Sequence, residues 1–464
     1  MFNHKKQYRC TIIRGKAKNK LDDLLPIYAK IINEYCPCPL DCFKSIFNTE
    51  LTHALDYPSE KTLDNHRTEI AGKLFGMYFS DDAGIVFPSE RTLLFIKNND
   101  QPEFFKDICQ KFQFPNGMDK FQTILDKVTN KISIRQFPFI LELLFIAKEN
   151  GIQILKDEVA YFVLNSLETL QGITQPREVY NSILEHRNKG IAVKVSEEGK
   201  ASSFSMQHIN EQLGFLELAN LVRIESNLLY LNPYEEKSID YIRSLWNEAP
   251  AFIINNGSLA TPESRKILAS EWQKYYSKVD KEGINIFTTS VDAIQYNVIE
   301  KEDKKAATGS IDKIKLGDDG EEFVYNYEQQ RVAEYDERLK NKVLLLGKIR
   351  GLGYDIQSII ADGSSKSEFV QYIEVKSTKR VTPPKESGDG WLDAITLTRN
   401  EWIAAEQHGL AFSFYRVYFT PQSIIIYIIK NPYEKYKNDT VKCTPMNYRL
   451  DFSKESIDEI IEEV

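Results

Sequence analysis

Nothing in this chain of 464 residues approaches a membrane-spanning run: the longest apolar stretch, SIIIYIIK at 423–430, is strand length, against the roughly 20 residues a bilayer requires. The N-terminus, MFNHKKQYRC, is basic but has no apolar segment of the secretory type. A cytoplasmic protein is expected. Cysteine is scarce, with six in the whole chain, too few for a disulfide framework at this length. Three of them, Cys36, Cys38 and Cys42, cluster in CPCPLDC. A zinc site would need a fourth ligand, His53 being the nearest histidine, and C-x-C-x3-C lacks paired knuckles. Reduced thiols in a proline-punctuated turn are expected. Net positive charge is also missing. The formal charge is −8, which gives a nucleic-acid partner no support at the level of the whole chain, although net charge hides distribution.

What is present is an ordinary globular composition, 42% hydrophobic and 27% charged, in a chain long enough for about three domains. Charge is distributed unevenly. Residues 4–20 carry Lys5, Lys6, Arg9, Arg14, Lys16, Lys18 and Lys20 with no acidic residue, while the C-terminal DFSKESIDEIIEEV is acidic. Lys16, Lys18 and Lys20 are candidate DNA contacts; a solvated arm has the same composition.

Four stretches separate along the chain, giving a multidomain α+β protein. Residues 1–130 form a mixed α/β stretch, a candidate for DNA recognition. RCTIIRG reads as a strand, LDDLLPIYAKIINEY as a helix, and KLFGMYFSDDAGIVFPSERTLLFI as short strands broken by SDDAG. NHRTEI reads as an exposed helix start around His66 and Arg67. Residues 131–250 are mostly helical, with RQFPFILELLFIAKENG and ILKDEVAYFVLNSLETLQG each predicted as one helix. At about 204–232 a helix through Asn210 to Asn220, a strand Val222–Glu225, a Ser226-Asn227 turn and a strand Leu228–Leu231 outline a winged helix. Such modules bind DNA or protein, and this helix is rich in leucine and poor in cations. Residues 251–305 hold one further helix, PESRKILASEWQKYYSKVD, and the charged run EKEDKKAATGS, read as a linker. A last domain from about 306 to Val464 is expected to fold by itself.

That last domain begins with a helix through GDDGEEFVYNYEQQRVAEYDERL, on which Glu321 and Glu328 share a face. A glycine-rich turn leads to a strand beginning near Tyr354 with Asp355 at its start. EFVQYIEVKST is the next strand. Alternation places Ile373 and Val375 on one face and Glu374 and Lys376 on the other. The loop KRVTPPKESGDG, the capped helix of ITLTRNEWIAAEQHG and the strands AFSFYRVYFT and SIIIYIIK follow. Alone, IEVKS is an ordinary strand with a weak surface ion pair.

The order helix, strands, helix, strand, with an acid at one strand start and Glu-x-Lys on the next, resembles the metal-dependent core of the PD-(D/E)xK nucleases. It is similar specifically to the No Vein C-terminal family. The residues carrying the resemblance are Gly320, Glu321, Val324 and Glu328; Gly353-Tyr354-Asp355-Ile356; Ile373-Glu374-Val375-Lys376-Ser377; and Thr398, Asn400, Glu401 and Trp402, all within about 317–430. Tyr354 replaces the proline of the general pattern.

The resemblance implies a mixed sheet flanked by helices and a catalytic set of Asp355, Glu374, Lys376 and Glu321. Asp355, Glu374 and the Val375 carbonyl would hold Mg²⁺, with Mn²⁺ as a substitute. Lys376 would orient the attacking water or neutralise developing charge. Glu328, Asn400 and Glu401 are supporting candidates; Glu328 and Asn400 could instead only fix helix to sheet. Lys379 and Arg380 are candidate phosphate contacts. The expectation is a Mg²⁺-dependent DNA endonuclease of restriction or anti-phage type acting on double-stranded DNA. A homodimer would supply two centres for two strands. The alternative is a catalytically silent DNA-binding or scaffold subunit working with an ATPase or methyltransferase partner.

Overall fold

A computed structural model of the chain describes residues 5–13, 18–55, 58–193, 195, 203–295, 320–347, 351–360, 369–385, 392–444 and 448–463. Two compact units result. The first contains residues 1–21, 35–48 and 59–289, and the second 22–34, 49–58 and 290–464. The charged run at 300–310 lies outside the described residues. No described helix is long and apolar enough to cross a membrane.

The first unit is helical with two small sheets. Strands β1 (Cys38–Pro39), β2 (Tyr78–Ser80) and β3 (Ile85–Pro88) pair in the order β1-β3-β2. Strands β4 (Ile154–Leu155), β5 (Val222–Glu225) and β6 (Leu228–Leu231) pair in the order β4-β6-β5. In both, a short strand, then helices, then an antiparallel hairpin follow along the chain, and the short strand joins the second strand of the hairpin. The β5–β6 turn falls where the sequence places it: Ser226 and Asn227 have φ of 48° and 72°, the left-handed pair a two-residue hairpin needs.

Several local expectations fail for identifiable reasons. The described residues of RCTIIRG, 9–13, form no strand; just before them Gln7 makes an isolated bridge to Ser166. SERTLLFI forms the helix Glu90–Asn98, because Ser89 caps it by accepting a hydrogen bond from the Thr92 N–H. ILKDEVAYFVLNSLETLQG is divided into β4, helix Lys156–Phe162 and helix Leu167–Leu170, the last capped by Ser166. His66 and Arg67 are buried rather than exposed. Arg67 grips Asp64 at 2.6 Å and Asn48 at 2.5 Å. The helix Ser203–Leu218 of the winged-helix outline is largely buried along its length. Cys36, Cys38 and Cys42 carry free thiols, and burial raises the Cys36 thiol well above its ordinary range.

The second unit is built on a six-stranded mixed sheet. Its strands are β7 (Leu344–Leu345), β8 (Ile356–Ile360), β9 (Phe369–Lys379), β11 (Phe412–Phe419), β12 (Ile424–Lys430) and β15 (Glu459–Glu463), in the order β15-β12-β11-β9-β8-β7. β9 and β11 are parallel and the other pairs antiparallel. One face packs Ile373, Val375, Tyr415 and Val417 against Phe323, Val324 and Val332 of helix Gly320–Tyr335. The other packs Phe412, Phe414 and Tyr418 against Trp402, Ala404 and Ala405 of helix Arg399–His408. It also packs against residues of a smaller sheet formed by β10 (Asp393–Leu397), β13 (Val441–Thr444) and β14 (Tyr448–Phe452).

A linear division of the chain does not anticipate that residues 22–34, most of the helix Lys18–Tyr35, belong to this unit. Their docking is visible just after β9. Asp22 accepts from the Thr382 hydroxyl at 2.7 Å and its N–H at 3.1 Å, and Asp23 pairs with buried Arg380 at 2.7 Å. Burial pushes the Asp22 carboxyl up to about 6, against the pull of Arg380 and Thr382. Its folded value therefore exceeds the roughly 3.9 of an unfolded aspartate. The stabilisation this gives is complete below about pH 4 and is lost as pH rises through about 6. Relative to wild type, Asp22→Asn should gain stability between pH 4 and pH 7 in thermal melts. A pH-independent difference would contradict the assignment.

Candidate active site

β-Strand alternation and register assemble the site. Glu374 and Lys376 point to the same face of β9, and Asp355 immediately precedes β8, where Ile356 is paired with Ile373. The Asp355 N–H donates to the Ile373 carbonyl at 2.9 Å. In return its Oδ2 accepts from the Val375 N–H at 2.8 Å. The carboxyl is thereby fixed across β9. Gly353 allows this approach: its φ is +76°, and a Cβ there would lie 2.4 Å from the Asn400 carbonyl. Tyr354, in place of the general pattern's proline, packs on Tyr372 with ring centroids 4.7 Å apart.

From Asp355 a chain of charged groups runs across the sheet face. The Asp355 and Glu374 carboxyls lie close enough that the charge of Asp355 disfavours ionisation of Glu374. Glu374 Oε1 is 2.6 Å from Lys376 Nζ, and Lys376 Nζ is 3.1 Å from Glu401 Oε2. Glu374 is only 3% exposed. Burial raises its pKa well above the usual range; Lys376 opposes this, and Asp355 and Glu401 add to it. Asp355 is raised for the same primary reason. Burial disfavours the charge of Lys376, but Glu374 and Glu401 outweigh it and hold the ammonium protonated above its ordinary value.

Glu401 is brought into the site by its helix. Its side chain accepts from the Thr398 N–H at 2.9 Å while Thr398 caps the Glu401 N–H, so the capping box holds the carboxylate beside Lys376. On the opposite side, Glu321 at the start of helix Gly320–Tyr335 reaches the space in front of Gly347, as does Asp355 Oδ1.

The other candidates divide sharply. Glu328 is fully buried away from this face, where it accepts from Ser358 at 2.6 Å, Tyr415 at 2.9 Å and Arg331 at 2.7 Å. It fastens helix Gly320–Tyr335 to the sheet. Asn400 is exposed, and it is its carbonyl that abuts Gly353. Arg380 is buried and held by Asp23 and by the Thr382 and Pro383 carbonyls. Lys379 is half-buried. Lys18 pairs with Glu217 at 2.6 Å, Lys20 is exposed, and Lys16 lies outside the described residues. Local pattern gave no sign of Arg416. This residue, beside Lys376 in the parallel register, donates to the Lys376 carbonyl at 3.2 Å and pairs with Asp393 at 2.7 Å.

Among the described residues, no three His, Cys, Asp or Glu side chains close around one point as a finished metal site would. The donor chemistry nevertheless fits a hard divalent cation. Burial raises the pKa of both the Asp355 and the Glu374 carboxyl, and a cation between two such groups would offset that cost. Beside them Glu321 and Asp355 face a space that a single Cβ at Gly347 would fill.

Comparison with known proteins gives two adjoining matches. The model of the restriction endonuclease BpuJI N-terminal family matches residues 2–273, and that of the protein NO VEIN C-terminal domain matches residues 320–429. No curated protein matches. Among solved structures, the BpuJ1 endonuclease binding domain in complex with pyrene- and phenanthrene-modified DNA matches with 52% identity and a TM-score of 0.57. The match covers 60% of this chain and 100% of that one.

Proposed function

Because the chain belongs to the restriction endonuclease BpuJI N-terminal family, we propose that its first unit holds double-stranded DNA and its second cuts it as a metal-dependent PD-(D/E)xK endonuclease. The role is restriction or anti-phage defence. The observation that carries the cutting half is the juxtaposition of Asp355, Glu374 and Lys376 on adjoining strands, with 2.6 Å between the last two. Mg²⁺ held by Asp355, Glu374 and Glu321, with the Val375 carbonyl as a further oxygen, would supply Lewis acidity at the scissile phosphate and an acidified water. Mn²⁺ would serve in its place.

The side chains have separable tasks. Asp355 is anchored by the Val375 N–H, which holds its carboxyl across β9. Were Glu374 to hold a cation, Lys376 would still have Glu401, 3.1 Å away, to position it. It then presents positive charge to the extra negative charge that develops on the phosphate. An intact Asp355, Glu374 and Lys376 favour cutting over a silent scaffold working beside an ATPase or methyltransferase. One centre per chain makes a homodimer the simplest way to cut both strands.

The DNA-holding half rests on the family match and on the DNA-bound relative; we read the two strand–helix–hairpin arrangements of the first unit as winged helices. In metal-free buffer the intact protein should bind duplex DNA with an affinity that falls steeply with salt, each phosphate contact adding about 0.9 to the log–log slope. Neutralising Lys16, Lys18 and Lys20 together should flatten that slope. Salt-independent binding, or no binding, would overturn this part of the reading.

A further inference from the structure

The stretch between β7 and β8 contains three glycines, Gly347, Gly351 and Gly353, and they are there for different reasons. Gly351 and Gly353 have φ of +94° and +76°, where glycine is favoured by backbone conformation alone. Gly347 is not in that region, so conformation does not require glycine. It is exposed, so core packing does not require it either. What surrounds it is carboxylate. A Cβ at position 347 would overlap Glu321 Oε2, would stand 2.8 Å from the Glu321 Cδ, and would stand 3.2 Å from Asp355 Oδ1.

The backbone fixes this arrangement. The Leu346 N–H donates to the Asp355 carbonyl at 2.6 Å. Leu344 and Leu345 pair with Gln357 and Ile356. Position 347 is therefore tied beside Asp355 and cannot drift away from it. By contrast, the obstacle to a larger residue is the end of the flexible Glu321 side chain, which can swing aside. A methyl group at 347 would thus cost the fold little and would cost the Glu321 carboxylate its position.

We infer that Gly347 is a positioning residue whose missing side chain reserves the space where Glu321 and Asp355 take a divalent cation. This rests on the metal-dependent reading above and deepens it: the third carboxylate reaches the ion only because residue 347 has no Cβ. Gly347 contributes no donor atom of its own. It acts through Glu321, and that makes its effect separable from a general loss of structure.

The test is Mn²⁺ binding by the full chain, measured calorimetrically and by the paramagnetic resonance of free Mn²⁺, beside thermal melting in EDTA. Gly347→Ala should weaken Mn²⁺ binding by about 10-fold or more, the scale on which disturbing a ligand's support acts. Its melting temperature in EDTA should match wild type. Glu321→Ala should weaken binding similarly, and the double variant should be no weaker than Glu321→Ala alone, as expected of residues acting as one unit. Wild-type Mn²⁺ affinity in Gly347→Ala would overturn the inference. So would a double variant in which the two losses multiply, or a loss of binding accompanied by a matching loss of melting temperature. If wild type itself bound no Mn²⁺, or Asp355→Asn bound it as well as wild type, the metal-dependent reading would fall first and take the inference with it.

Discussion

Glu374→Gln should abolish cutting of duplex DNA in Mg²⁺, by about 10³-fold or more, while leaving DNA affinity in Ca²⁺ close to wild type. Glutamine keeps the shape of a side chain that is 3% exposed but removes the charge a cation needs. Lys376 is not stranded by the change, because Glu401 remains 3.1 Å away. The raised pKa of Glu374 has a consequence with a definite sign. Burial, with Asp355 and Glu401 adding to it, keeps a proton on the paired carboxyls to higher pH than either would hold alone. A cation must displace that proton, so metal affinity should rise with pH as the pair loses it. Lys376→Met differs in kind: it should slow single-turnover cutting by about 10²–10³-fold with DNA affinity retained. Affinity that falls while the single-turnover rate holds would make Lys376 a phosphate anchor instead.

The second large effect concerns folding. A fragment of residues 306–464, which the sequence suggests as an independent domain, should fail to melt cooperatively. The second unit includes residues 22–34 and 49–58, and Arg380 is 5% exposed with Asp23 as its ion-pair partner. Breaking a buried pair by removing one partner costs about 3–5 kcal/mol, a large share of the roughly 5–15 kcal/mol by which a whole domain is stable. Leu24, Leu25, Tyr28, Ile31 and Ile32, all buried in this helix, would be lost with it. Adding a peptide of residues 18–58 should restore a cooperative transition by circular dichroism. A fragment that melts cooperatively alone, near the temperature of the intact chain, would contradict this account.

What the sequence discloses and what it hides follow from the range of the interactions involved. Alternation along β9 is local, so the shared face of Glu374 and Lys376 is readable, as are Asp355 at the head of β8 and the Thr398–Glu401 capping box. The Ser226-Asn227 turn is readable for the same reason. Glu401 meeting Lys376 depends on where a helix crosses a sheet, which no local pattern states. Glu328 shares a helical periodicity with Glu321 yet turns to Ser358 and Tyr415, because the helix starts at the site and then runs along the opposite face. Arg380 looks like a loop cation until a helix some 350 positions earlier in the chain supplies Asp23. Gly347 carries no signal at all in a single sequence, since an absent side chain matters only for what stands in front of it.

Everything proposed for the second unit depends on hydrolysis of DNA with a cation held by Asp355 and Glu374. It is tested most directly by incubating the intact protein with modified and unmodified plasmid DNA in Mg²⁺ and in EDTA, and sequencing the ends. Linear products with ends at reproducible positions are expected in Mg²⁺, none in EDTA, and none from Glu374→Gln in either. Uncut plasmid from protein that binds it, or ends that form equally with Glu374→Gln, would contradict it.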